Sequence, residues 1–271
     1  MKINNEISKI IQKNFISKIS YFSQYNNMIK VIENEEFVRV DSMLPSDTFN
    51  ICVIKNSGFS KKEDVLRENT DYFNKKSYPA AVWIWEDNSA SEKSMADNGF
   101  ALAEKEAGMY IDTENIAGKE QRYTDFEIRK VSSDKDMEDF SEVISSIFGE
   151  SEEASNVKEQ YGILKKEKIY ASSDMSFYTG YYNNKPVSCG TVYQTAESTG
   201  IYDVATKENY RKKGLGSAMF AYLMSEAKKN GNKYCILQAS ADGAGIYRKM
   251  GFIEVCSIDI YENRDFLQPE N

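Results

Sequence analysis

Tyr210-Arg211-Lys212-Lys213-Gly214-Leu215-Gly216-Ser217 places three consecutive cations and two glycines where a strand-like segment meets a helix. Upstream, Ile201–Thr206 is rich in β-branched and aromatic residues and reads as a strand. Downstream, Leu215, Ala218, Met219, Tyr222, Leu223 and Ala227 recur with helical spacing and make one face apolar. Lys228 and Lys229 suit the negative pole of that helix, and Gly231 can take the left-handed conformation that ends it. The helix therefore starts near Gly214, where backbone N–H groups lack internal partners and the macrodipole is positive. A phosphate binds well at such a place. Gly214 and Gly216 lack the Cβ atoms that would hold the backbone away from it. The pattern is neither the Walker sequence nor the three-glycine dinucleotide fingerprint.

Composition narrows what that phosphate can belong to. The chain has 271 residues, 41% hydrophobic and 28% charged, enough for one large or two modest globular domains. A net charge of −8 argues against nucleic acid or an anionic membrane as the main partner. There is no histidine, and Cys52, Cys189, Cys235 and Cys256 stand singly without Cys-x-x-Cys spacing. A Cys/His metal site, a Ser-His-Asp triad and a Cys-His dyad are all excluded, and no metal is expected. Four isolated cysteines, an N-terminus without a signal-peptide core and the lack of a ~20-residue apolar run point to a cytoplasmic protein.

The segment Asp203–Phe252 resembles the GNAT superfamily of acyl-coenzyme A N-acyltransferases. Arg211, Gly214 and Gly216 match the family's Arg/Gln-x-x-Gly-x-Gly/Ala signature. A strand, Lys233–Ser240, follows, and then Tyr247-Arg248-Lys249-Met250-Gly251-Phe252, which is similar to the closing Tyr-x-x-x-Gly-Phe motif. The resemblance covers the second half of the chain and touches the first only faintly.

It implies acetyl-CoA or coenzyme A as cofactor, held at its pyrophosphate by Arg211, Lys212, Lys213, Gly214, Leu215, Gly216 and Ser217. Val204 and Thr206 would offer main-chain groups to the pantetheine arm, and Ser240 a second contact. Tyr247 matches the family's tyrosine acid. For the base, Asp203, Tyr202, Glu197 or a chain of waters remain candidates. Strand alternation turns only one of Tyr202 and Asp203 toward the site, unless a bulge intervenes. The activity implied is acetyl transfer to an amine by direct attack. The acidic charge and tandem build favour a small-molecule amine or a peptide N-terminus as acceptor. A coenzyme-A-binding sensor or scaffold without catalysis is the alternative, and the oligomeric state is not legible.

The fold class expected is α+β: two GNAT-like domains, each a mixed, mostly antiparallel sheet flanked by helices. In residues 119–271, strands are expected at Phe126–Val131, Ser176–Tyr182, Pro186–Gln194, Ile201–Thr206, Lys233–Ser240 and Phe252–Tyr261. Helices are expected at Met137–Ile147, Val157–Lys165, Gly214–Asn230 and around Tyr247. Asn183-Asn184-Lys185 is a hairpin signal. Residues 1–118 carry an opening amphipathic helix to about Ser20, strands at Phe37–Val40, Phe49–Ile54 and Ala80–Trp85, and a helix at Lys62–Phe73. They close on helix, Gly99-Phe100 and a strand through Ile111, as the second half closes on helix, Gly251-Phe252 and strand. The first half has no Arg-x-x-Gly-x-Gly and carries Met95 where the second has Tyr247, so it is expected to bind no cofactor. Ala117–Gln121 is the expected linker.

Overall fold

The computed structural model describes residues 2–55, 62–85, 90–117 and 125–267. Most of the expected linker, residues 118–121, lies outside the described residues. The first half runs α1 (Lys2–Tyr21), β1 (Lys30–Glu33), β2 (Phe37–Asp41), β3 (Ile51–Ile54), α2 (Lys62–Lys76), β4 (Ala81–Trp85), α3 (Ala90–Asp97) and β5 (Ala101–Asp112). The second runs β6 (Phe126–Lys130), α4 (Asp134–Ser145), α5 (Glu152–Lys166), β7 (Met175–Tyr182), β8 (Lys185–Gln194) and β9 (Ser198–Thr206). It ends with α6 (Leu215–Lys229), β10 (Tyr234–Ser240), α7 (Ala241–Lys249) and β11 (Ile253–Glu262). Both halves thus carry antiparallel strands, a helix, a parallel strand, a short helix and a closing strand in the same order. Gly99 and Gly251 both have positive φ, at 75° and 96°. The phenylalanine after each is buried.

Compact packing does not follow the chain division at 118/119. One unit comprises residues 1–109, 238–250 and 254–271; the other comprises 110–237 and 251–253. The reason lies in the last strand. Within the first unit β11 pairs antiparallel with β4, Ile260 opposite Trp83 and Ile258 opposite Trp85. Those ladder bonds bury the closing strand of the second half against a strand of the first.

In the first unit, β2 and β3 are buried at every position and hold a core of Phe37, Cys52, Ile54, Leu66, Phe73, Val82, Met95, Phe100 and Tyr261. Strand β3 pairs antiparallel with β2 and parallel with β4. It begins at Ile51 and not at Phe49, because the Phe49 and Asn50 amides donate to the Ser46 carbonyl at 3.2 and 2.8 Å and close a turn. On the α1 face, the Phe15 ring lies 4.4 Å from Trp83.

In the second unit, β6, β7, β8 and β9 are successively antiparallel, and β9 is parallel to β10. Asn183 and Asn184 have positive φ, 49° and 60°, which suits a two-residue hairpin turn. Helices α4 and α5 begin upstream of the first apolar residues because Ser133 and Ser151 cap them, accepting from the Asp136 and Ala154 amides. Phe140, Tyr161 and Phe177 meet edge to face beneath them. Helix α6 covers the other face of β8 closely: a Cβ on Gly190 would stand 2.4 Å from Leu223 Cδ1, and Leu223 is fully buried. Gly190→Ala should therefore cost about 1–3 kcal/mol through overpacking. A variant that melts with the wild type would contradict the close approach.

Candidate active site

The second unit assembles the phosphate-binding loop from a strand end, a turn and a helix start. Strand β9 runs to Thr206, a short 3-10 turn spans Glu208–Tyr210, and α6 begins at Leu215 with Gly214 as N-cap. Gly214 has φ 81°, and Lys212 has φ 60°. These two left-handed residues kink the chain just before the helix, a turn conformation that can gather backbone N–H groups into a nest for an anion. Helix α6 has no side-chain N-cap bond and no acidic residue in its first turn. Arg211, Lys212, Lys213 and Gly214 are all exposed. Arg211 Nε donates to the Thr206 carbonyl at 3.0 Å, which ties the turn to the strand end. Lys213 lies over the Tyr210 ring, 5.1 Å from its centre. A Cβ on Gly216 would meet Thr206 Oγ1 at 2.9 Å, so glycine lets the helix start lie against the strand. Exposed cations, an uncapped helix and a floor without side chains fit a pyrophosphate.

Strand β9 contains the bulge on which the choice of base candidate turned. Cys189 pairs with Ala205 and Thr191 with Tyr202, so two residues of β9 oppose Gly190 alone. Asp203 sits there with φ 54°. Its carboxylate acts on two buried neighbours: together with burial, it pushes the Tyr161 phenol and the Cys189 thiol well above their ordinary values. Val204 and Thr206 are half-buried. The parallel pairing of β9 with β10 covers only Ser198–Gly200 opposite Tyr234–Ile236. Among the described residues the registered β9–β10 pairs end at Gly200. Tyr202 is buried, and Glu197 is exposed at the opposite end of β9 from the loop.

The remaining predicted residues fall in the first unit. Ser240 is the N-cap of α7, its Oγ accepting from the Gly243 amide at 3.3 Å. The Tyr247 ring overlies Gly243, where a Cβ would lie 3.2 Å from its Cε2. Burial raises the Tyr247 phenol, and the charge of Glu106 raises it further. The four cysteines are free and buried. Burial drives the Cys52 and Cys235 thiols up, which removes them as nucleophiles. Among the described residues no cluster of acidic or thiol side chains can hold a metal, and no helix is long and apolar enough to cross a membrane. Glu106 is the functional candidate that the motifs did not mark.

Residues 127–255 match the model of the acetyltransferase (GNAT) domain. That segment, just under half of the chain, is similar to the GNAT domain family. Comparison with curated proteins finds no match. The structure is similar to a GCN5-related N-acetyltransferase from Kribbella flavida, at 12% identity and TM-score 0.63, with 94% of each chain covered. It is similar to another from Sphaerobacter thermophilus, at 12% identity and TM-score 0.60, covering 84% of this chain and 80% of that one. A tandem GNAT protein from the clavulanic acid biosynthesis pathway matches at 8% identity and TM-score 0.57, over 87% of this chain and 80% of that one. At these identities the likeness is one of fold. The matched GNAT segment contains the bulge, the loop and Tyr247 together.

Proposed function

We propose that this protein is an N-acetyltransferase that moves the acetyl group of acetyl-CoA to the amine of a small molecule or a peptide N-terminus. The observation that carries the reading is the α6 start: a nest without a side-chain cap, beside three exposed cations, inside the family-matched segment. Amides of residues 211–217 and the Arg211, Lys212 and Lys213 charges would hold the pyrophosphate. Main-chain groups of Val204 and Thr206 would hold the pantetheine arm, with Ser240 as a further contact. Acetyl-CoA supplies the electrophilic thioester carbon. Tyr247 gives its phenolic proton to the departing sulfur; its raised pKa keeps that proton in place at neutral pH. Asp203, carried by the bulge, is the candidate base on β9, able to reach the amine by way of a water; Asp203→Asn tests it against any other carboxylate. Residues 119–271 supply the cofactor-binding domain.

Residues 1–118 bind no coenzyme A of their own in this reading. Helix α2 stands where α6 stands in the repeat, and its first turn carries Glu63 and Asp64. Those carboxylates repel a phosphate that the α6 start attracts. Calorimetry with coenzyme A should return one cofactor per chain, and two would refute the assignment. Thiol release from acetyl-CoA with a panel of aralkylamines, polyamines and dipeptides tests the transfer itself. Binding without release from any of them would leave a cofactor-binding module in place of an enzyme.

A further inference from the structure

Glu106 occupies a position that strand physics alone does not explain. Gly108, two residues along β5, faces Ile11 of α1 and Cys256 of β11, so Glu106 faces the same side. The rings of Tyr110 and Tyr234 meet at 5.7 Å, so the even-numbered residues of β5 and β10 share that face, Gln238 included. Glu106 Oε2 and Gln238 Nε2 are both sealed from solvent and have no hydrogen-bond partner among the described residues. The opposite face of β5 is conventional: Lys105 pairs with Asp259 at 3.2 Å.

Burial without compensation explains the state of the Glu106 carboxyl. It is pushed up to about 8, first by desolvation and then by Glu104 on its own strand. The other titratable groups on this side are Tyr110 of β5 and Tyr234 of β10, Tyr247 from α7 and the Cys256 thiol from β11; α1 presents Ile11 here. No lysine or arginine among the described residues acts on it. An isolated buried carboxyl is costly, and such groups gather where proton transfer is performed. Here it stands within electrostatic reach of the tyrosine to which the mechanism gives the proton-donor role.

We infer that Glu106 is the group that takes the proton of the acceptor amine. The inference rests on the acetyltransferase reading above. The ammonium N–H bond breaks and an O–H bond forms at Glu106 Oε2, leaving a neutral amine and a neutral carboxylic acid. The acid returns its proton to water before the next turnover. A primary ammonium brings donors to Glu106 Oε2, whereas the Gln238 Nε2 donor calls for an oxygen acceptor beside that ammonium.

The test compares wild type, Glu106→Gln and Asp203→Asn. In wild type, kcat/KM should rise with pH through a limb near 8. In Glu106→Gln it should fall by ~10²–10⁴-fold at the plateau and lose that limb, with coenzyme A affinity unchanged by calorimetry. A second readout needs no turnover. The folded-state pKa lies above the unfolded value, so the carboxyl's contribution to stability is full below about 4.5 and is lost as pH rises toward and through 8. Glu106→Gln should therefore melt progressively above wild type as pH rises. A variant that shows this melting change yet keeps wild-type kcat/KM and its limb would make Glu106 structural and overturn the inference. A limb that survives in Glu106→Gln and vanishes in Asp203→Asn would overturn it in favour of Asp203. A wild type that binds coenzyme A and acetylates none of the amines overturns the enzyme reading and this inference together.

Discussion

Gly214→Asp should weaken coenzyme A binding by more than tenfold, ~1.4 kcal/mol or more. The substitution adds a negative charge at the N-cap of α6, where the first-turn amides and the positive end of the helix dipole would face phosphate. It also adds a Cβ at a residue with φ 81°. Aspartate tolerates the left-handed region better than most residues, so backbone strain is a minor part of the effect. Gly214→Asn separates the contributions, since it has nearly the same shape and the same tolerance without the charge. Most of the loss should therefore appear in Asp and not in Asn, and it should shrink as salt screens the repulsion. Equal affinities for wild type and Gly214→Asp by calorimetry would remove the pyrophosphate from this loop.

What the sequence shows about this fold is uneven, and the unevenness has local causes. Elements defined by their own periodicity were legible: α6 from its apolar face and Gly231, β4 from its unbroken apolar run, the β7–β8 hairpin from Asn183 and Asn184. Strand β1 was not, because Lys30-Val31-Ile32-Glu33 is exposed or half-buried at every position and is held by pairing with β2. The starts of α4 and α5 lie upstream of their first apolar residues, since apolar periodicity ignores the capping serines. The packing of β11 with β4 was hidden altogether. A strand carries its own face pattern but nothing that names its neighbour.

The site divides in the same way. The loop at 211–217 is contiguous, so its residue types declare it. The bulge at Asp203 depends on the register between β8 and β9, which no single strand encodes; sequence alone left Tyr202 and Asp203 competing for one face, and the bulge lifted that constraint. Ser240 was expected at the cofactor, and its hydroxyl is engaged in capping α7. Glu106 left no signal because Glu104-Lys105-Glu106 reads as a solvated strand edge. Only the packing of α7 and β11 around it makes one of those charges expensive.

Tyr247→Phe should lower turnover by ~10²–10⁴-fold, the usual worth of a positioned proton donor, while coenzyme A affinity and melting temperature change little. The ring is retained, and it is the ring that lies over Gly243. Burial and the Glu106 charge both favour the neutral phenol, so the proton is available across the neutral range. A phenol so disposed is a reluctant acid. It helps only where the leaving sulfur carries enough developing charge to claim the proton. The deficit of the Phe variant should therefore narrow with an acyl donor whose thiol has a low pKa, because that thiolate departs without protonation. Wild type should show the weaker dependence on the leaving group, and Tyr247→Phe the steeper one. If the phenol serves packing alone, the two dependences will run parallel and any loss of rate will follow the loss of stability. A Phe variant with full activity on an accepted amine would leave positioning of the two reactants as the catalytic device.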